Sequence, residues 1–71
     1  MMTNTELLKK TITESGITIV FLADKLDISR EAFYMKLNGK TEFKASEIFT
    51  LRRLLGLSSK QTEAIFFCAK V

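Results

Sequence analysis

The sequence predicts an all-α domain of five short helices, an expectation that rests on three observations. Apolar residues recur three, four and seven apart along five segments, the spacing that gathers them on one helical face. Most segments open on Ser, Thr or Asn and close on Gly or Asn-Gly, residues suited to helix caps. The stretches between them are short, as helix–helix connections in small domains are. The chain has no proline, so helix limits must be read from these caps.

Asn4 or Thr5 caps a first helix running to about Glu14. Leu8 and Ile12 share its inner face, with Lys9 and Lys10 elsewhere on it, and Gly16 ends it. Thr18 starts a second helix in which Phe21, Leu22, Ala23 and Leu26 follow at helical spacing, with Asp24 and Lys25 outward. After a brief break at Asp27-Ile28, Ser29 caps a third helix, Arg30 to about Leu37, whose Phe33 and Leu37 share a face. Asn38-Gly39 ends it, both residues tolerating positive φ. Lys40 to Lys44 is a loop with Phe43 directed to the core. Ala45 or Ser46 opens a fourth helix with Ile48, Leu51 and Leu55 in register, and Gly56 closes it above Leu57. Ser58-Ser59 caps a fifth, Lys60 to about Ala69, with Gln61 and Glu63 in its first turn.

Seventy-one residues make a single domain, spanning 1–71, of modest intrinsic stability. Hydrophobic residues are 46% of the chain and six are Phe, enough for one core, while 27% charged residues argue against both disorder and a membrane span. Apolar runs such as Ile19 to Ala23 are far too short to cross a bilayer. The opening residues have neither a basic n-region nor an apolar h-region, so no secretory leader is expected. A single cysteine, Cys68, cannot form an intrachain disulfide; it reads as a small buried apolar residue in a cytoplasmic protein. With no His, His-based acid–base catalysis and His metal ligands are excluded. There is no glycine-rich phosphate loop and no Cys-x-x-Cys. A chain this small also has little room for a substrate cleft. No enzyme, small-molecule substrate, metal or cofactor is expected.

Net charge is +3, and its distribution is more informative than its size. Between Ser29 and Arg53 lie Arg30, Lys36, Lys40, Lys44, Arg52 and Arg53 against Glu31, Glu42 and Glu47. That is six positive against three negative; the remainder, five of each, is balanced. The excess therefore falls on one segment, as a polyanion-facing surface requires. Arg52 and Arg53 are read as solvated.

The stretch from Ile19 to Gly39 holds two short helices that need a small residue at their closest approach, and Ala23 supplies it. Leu22, Leu26, Ile28, Phe33 and Leu37 then bury the angle between them. With the capped third helix and the closing Asn38-Gly39-Lys40, this ungapped pattern resembles the helix-turn-helix (about 18–38) of the Cro/CI-type phage repressor family. These are the lambda-repressor-like, XRE-type domains. Lys44-Ala45-Ser46-Glu47-Ile48 and Leu54-Leu55-Gly56-Leu57 resemble the fourth helix of small prophage Cro-like regulators. The resemblance covers roughly Leu7 to Phe67. Two positions depart from it: Asp27 stands where the turn usually has glycine, and Ile19 where many relatives carry a polar residue that braces a phosphate contact.

The resemblance implies a lambda-repressor-like fold and a sequence-specific, DNA-binding transcriptional regulator, its third helix lying in the major groove of an operator. Arg30 is then the first base-contacting residue, its forked donors matching guanine O6 and N7. Glu31 accepts from a cytosine amino group or orients Arg30. Tyr34 and Met35 touch a thymine methyl or sugar edge. Lys36, Lys40 and Lys44 bind phosphates, with Asn38 reaching the backbone. Thr18 and Ser29, at helix amino ends, offer backbone N–H groups to phosphate.

The segment from Ala64 to Val71 is more apolar than one helical face needs. Ile65 and Cys68 cover the core; Phe66, Phe67 and Val71 are expected at a homodimer interface that spaces two recognition helices about one DNA turn apart. An alternative keeps the fold and changes the partner. Here the helix-turn-helix surface, through Glu31, Tyr34 and Met35 together with Phe66 and Phe67, occupies a partner repressor and the protein acts as an antirepressor or modulator.

Overall fold

The computed structural model describes residues 3–67, which form α1 (Thr5–Ser15), α2 (Ile19–Lys25), α3 (Arg30–Leu37), α4 (Ala45–Leu55) and α5 (Ser59–Phe66). No strand occurs among the described residues. The Cα radius of gyration, 11.1 Å, matches the roughly 11 Å of a well-packed chain this long.

Local chemistry explains where each helix begins. Asn4 Oδ1 accepts the Leu7 N–H at 3.1 Å and Thr18 Oγ1 the Phe21 N–H at 3.1 Å. Ser29 Oγ accepts the Ala32 N–H at 3.0 Å. At α5 the cap is reciprocal: Ser58 Oγ accepts from the Gln61 N–H, and Gln61 Oε1 accepts from the Ser58 N–H. The start of α4 has no such hydroxyl. Its first turn is closed from inside, where Glu47 Oε1 accepts the Lys44 N–H at 2.7 Å.

α2 and α3 end in the same way. After α2, the Asp27 N–H donates to the Asp24 carbonyl and the Ile28 N–H to the Ala23 carbonyl. After α3, the Gly39 N–H donates to Lys36 and the Lys40 N–H to Met35. This paired closure needs one residue in the left-handed region. Gly39 fills that place at φ 81°; Asn38 before it stays at φ −94°. Asp27 fills the equivalent place at φ 59°, the one non-glycine residue with positive φ among those described.

Leu8 and Ile12 from α1, Leu22 and Ala23 from α2, Phe33 and Leu37 from α3 and Leu51 from α4 meet in a single core with Phe43, Leu57, Ile65 and Phe66. Leu26 and Ile28 pack against its margin beneath the α2–α3 turn. Three rings run through the core in edge-to-face contact: Phe33 to Phe43 at 5.9 Å between centroids, then Phe43 to Phe66 at 5.5 Å. Each such pair adds about 0.5–1.5 kcal/mol beyond the area it buries.

α5 is shorter than its sequence suggests. The Ile65 carbonyl in its last turn accepts the Asn4 N–H at 2.6 Å, which ties the end of α5 to the start of α1. The helix stops at Phe66, and Phe67 leaves it at φ −123°, ψ 38°. The expected roles of Cys68 and Val71 lie outside the described residues.

Candidate nucleic-acid interface

The candidate surface is built on α3. Phe33, wholly buried, and Leu37 anchor the eight-residue helix from below. Only one side of a helix can face a core, so the same anchoring turns Arg30, Glu31, Tyr34, Met35 and Asn38 outward, where all are exposed. Ser29 precedes them at the exposed amino end. Tyr34 and Met35 keep 48% and 45% of their surface in solvent, a large exposure for uncharged side chains of their size.

Beside α3 runs an open groove of about 740 Å³, walled on one side by Tyr34 and Asn38 and on the other by Thr18 at the start of α2 and by Lys9 on α1. Thr18 and Ser29 use their hydroxyls as acceptors for their own helices. Lys9 was not legible as part of this surface, because its helical position says only that it is outward. Nothing local in sequence connects it to a groove formed with α2 and α3.

Lys40 and Lys44 are exposed in the α3–α4 connection. Lys36 is not. Its Nζ lies 3.1 Å from Glu47 Oε1, donates to the Glu42 carbonyl at 3.0 Å and sits 5.9 Å from the centre of the Phe43 ring. The Lys36 and Glu47 side chains retain only 11% and 9% exposure. The expectation that Lys36 contacts phosphate is therefore corrected. Three positions after Phe33, at the edge of the buried face, it reaches across the flank of α3 toward α4, where a buried carboxylate holds it. This leaves Arg30, Lys40, Lys44 and Lys9 as exposed cations beside the acidic Glu31 and Glu42.

The C-terminal aromatics separate. Phe66, expected at an interface, is 3% exposed and packs on Phe43, so it belongs to the core. Phe67 is 40% exposed and stays on the surface. A further aromatic emerges that the sequence reading passed over: Phe49, 60% exposed on α4, with the Arg53 guanidinium 5.8 Å from its ring centre. The signal was present, since Phe49 falls outside the Ile48, Leu51, Leu55 stripe. On α2, Val20 and Phe21 are exposed too, with Lys25 Nζ 5.2 Å from the Phe21 ring centre.

No cluster of three or more His, Cys, Asp or Glu side chains that would hold a metal occurs among the described residues. No helix among them is long and apolar enough to cross a membrane. No family model, curated protein or solved structure matches the chain.

Proposed function

We propose that the protein is a sequence-specific DNA-binding transcriptional regulator of the Cro-like repressor kind, with α2, its turn and α3 acting as a helix-turn-helix and α3 entering the major groove. The observation that carries the reading is the presentation of α3. The helix is seated by Phe33 and Leu37 and exposes Ser29, Arg30, Glu31, Tyr34, Met35 and Asn38 along its outer side. Arg30 at the first helical position carries the fork that reads guanine, and Glu31 beside it carries an acceptor for cytosine. Lys40 and Lys44 flank the far end and Lys9 borders the adjoining groove, positions suited to phosphate contacts that orient without reading sequence. Binding as a homodimer would pair two such helices on a near-palindromic operator.

A second reading is favoured by one specific observation. With Lys36 turned inward, the outer side of α3 carries one positive and one negative charge, Arg30 and Glu31, around exposed Tyr34 and Met35. A near-neutral surface with large apolar side chains also suits a protein partner, so the domain would then be a modulator that occupies a partner repressor.

One titration separates the two. The purified protein is titrated against the intergenic DNA flanking its own gene at two salt concentrations. Tight binding to one fragment with a steep salt slope supports the regulator. Uniformly weak binding to every fragment, with a stable complex on mixing with a repressor encoded beside its gene, would replace it with the modulator.

A further inference from the structure

We infer that Lys36 and Glu47 form a positioning pair that sets the basic α3–α4 connection in register with the outer side of α3, so that sequence discrimination depends on two residues that do not touch DNA. The inference rests on the DNA-binding reading above and extends it to residues outside the contact surface.

Lys36–Glu47 is the one ion pair among the described residues, and it joins the last turn of α3 to the first turn of α4. Both of its members also hold the backbone of the intervening loop. Lys36 Nζ donates to the Glu42 carbonyl, and Glu47 Oε1 accepts the Lys44 N–H. The loop's near end is fastened separately, by the Lys40 N–H donating to the Met35 carbonyl at 2.8 Å and the Thr41 N–H to the same oxygen at 3.4 Å. The connection is therefore held at its start by α3 backbone, at Glu42 by Lys36, and at its end by Glu47. Lys40 and Lys44, the exposed cations of this loop, are carried by the segment so held.

An ammonium has three N–H donors. One meets a carboxylate and one a carbonyl, with the Phe43 ring centre 5.9 Å away. Two of the three donors are thus engaged inside the protein, and the mostly buried side chain has little surface to offer a phosphate. A mostly buried pair of this kind adds little net stability over an apolar replacement, because desolvation offsets the attraction; its best-attested use is to fix one arrangement among several. Here the arrangement fixed is the placement of Lys40 and Lys44 relative to Arg30. Phosphate contacts set the register in which base contacts are made, so loosening that placement weakens discrimination more than bulk affinity.

The test compares wild type with the double variant Lys36→Met, Glu47→Gln, which removes both charges and keeps a side-chain carbonyl to accept the Lys44 N–H. In the free protein, amide exchange at Lys44, whose N–H is held by Glu47, should accelerate about tenfold while the Leu22 and Leu51 amides change less than about twofold. In DNA titrations, binding to the preferred site should weaken about tenfold and binding to unrelated DNA by less than about twofold, with the salt slope unchanged. A slope lower by about one would make Lys36 a phosphate ligand and overturn the inference. So would unchanged loop exchange, or unchanged discrimination. Accelerated loop exchange in a protein whose wild type binds no DNA fragment would dismiss the DNA reading itself and leave the pair a structural tie. If the double variant loses protection at Leu22 and Leu51, Lys36→Gln, Glu47→Gln, a neutral pair that strands no charge and can hydrogen-bond to the same backbone groups, takes its place with the same expected outcomes.

Discussion

The 3.1 Å contact between Lys36 Nζ and Glu47 Oε1 spans eleven positions of sequence and joins two helices through side chains that are nine-tenths buried or close to it. Its energetics are asymmetric. Removing the lysine alone strands a carboxylate in a site that has excluded most of its water, whereas neutralising both partners strands neither. Lys36→Met should therefore cost about 2–4 kcal/mol, and adding Glu47→Gln should return a large part of that loss. Urea denaturation of the two singles and the double closes the cycle. Additive costs would mean the two residues do not depend on each other.

Arg30 and the loop lysines should fail in different ways. Arg30→Ala removes a candidate base contact and should weaken binding to the preferred site by about 1–3 kcal/mol while hardly changing nonspecific affinity. Lys40→Ala and Lys44→Ala should each weaken binding to all sequences alike and lower the salt slope by about one. Competition titrations with specific and unrelated fragments at several salt concentrations read both quantities. An equal loss on every sequence from Arg30→Ala would remove it from base reading. Lys9→Ala extends the same logic to the groove beside Thr18 and Asn38: a slope lower by about one would place a phosphate there.

The contrast between Asp27 and Gly39 gives a stability prediction. Both occupy the left-handed place in equivalent helix closures, at φ 59° and 81°. The aspartate bears a Cβ penalty there that glycine escapes, but glycine loses more freedom on folding. For a residue already in this region the first effect outweighs the second, so Asp27→Gly should stabilise the domain by about 0.5–1 kcal/mol. Asp27→Val, whose branched Cβ is least tolerant of positive φ, should destabilise it by about 1–2 kcal/mol or more. Thermal melts of the two variants check the sign of each. A melting temperature lowered by Asp27→Gly would show that the aspartate side chain contributes more than its strain.

These residues also mark what the sequence could convey. Helix starts were legible because Asn4, Thr18, Ser29 and Ser58 act through atoms three positions away, a range that local pattern captures. The core-facing residues of α1 and α3 followed from spacing for the same reason; on α2 Leu22 and Ala23 did, whereas Phe21, expected on the same side, is exposed. What escaped was set by contacts between distant segments. Lys36 looks solvent-facing until Glu47 is brought beside it, and Phe66 looks like surplus aromatic surface until Phe43 is. Lys9 enters the groove only because α1, α2 and α3 converge there. The exposed residues of α3 were legible as a surface, since Phe33 and Leu37 define the opposite side; their partner is a matter of chemistry that spacing does not encode.

Phe66 and Phe67 are adjacent in sequence and should behave as opposites. Phe66 is 3% exposed and closes the ring contacts that begin at Phe33, so Phe66→Ala leaves a cavity at a point where α5 meets the loop carrying Phe43. Such truncations cost about 3–5 kcal/mol, comparable to the whole stability of a domain this small, and the variant should be largely unfolded at room temperature. Phe67→Ser removes a side chain that is 40% exposed and should change stability by less than about 1 kcal/mol. If the protein dimerises through this end, Phe67→Ser should lower its mass in sedimentation equilibrium without altering its circular dichroism. Phe49→Ser is the companion measurement, because Phe49 is the more exposed ring at 60% and lies on a different helix. Loss of the dimer on Phe67→Ser alone would confine the interface to the end of α5, loss on both would extend it across α4, and an unchanged mass on both would leave the two rings to another partner.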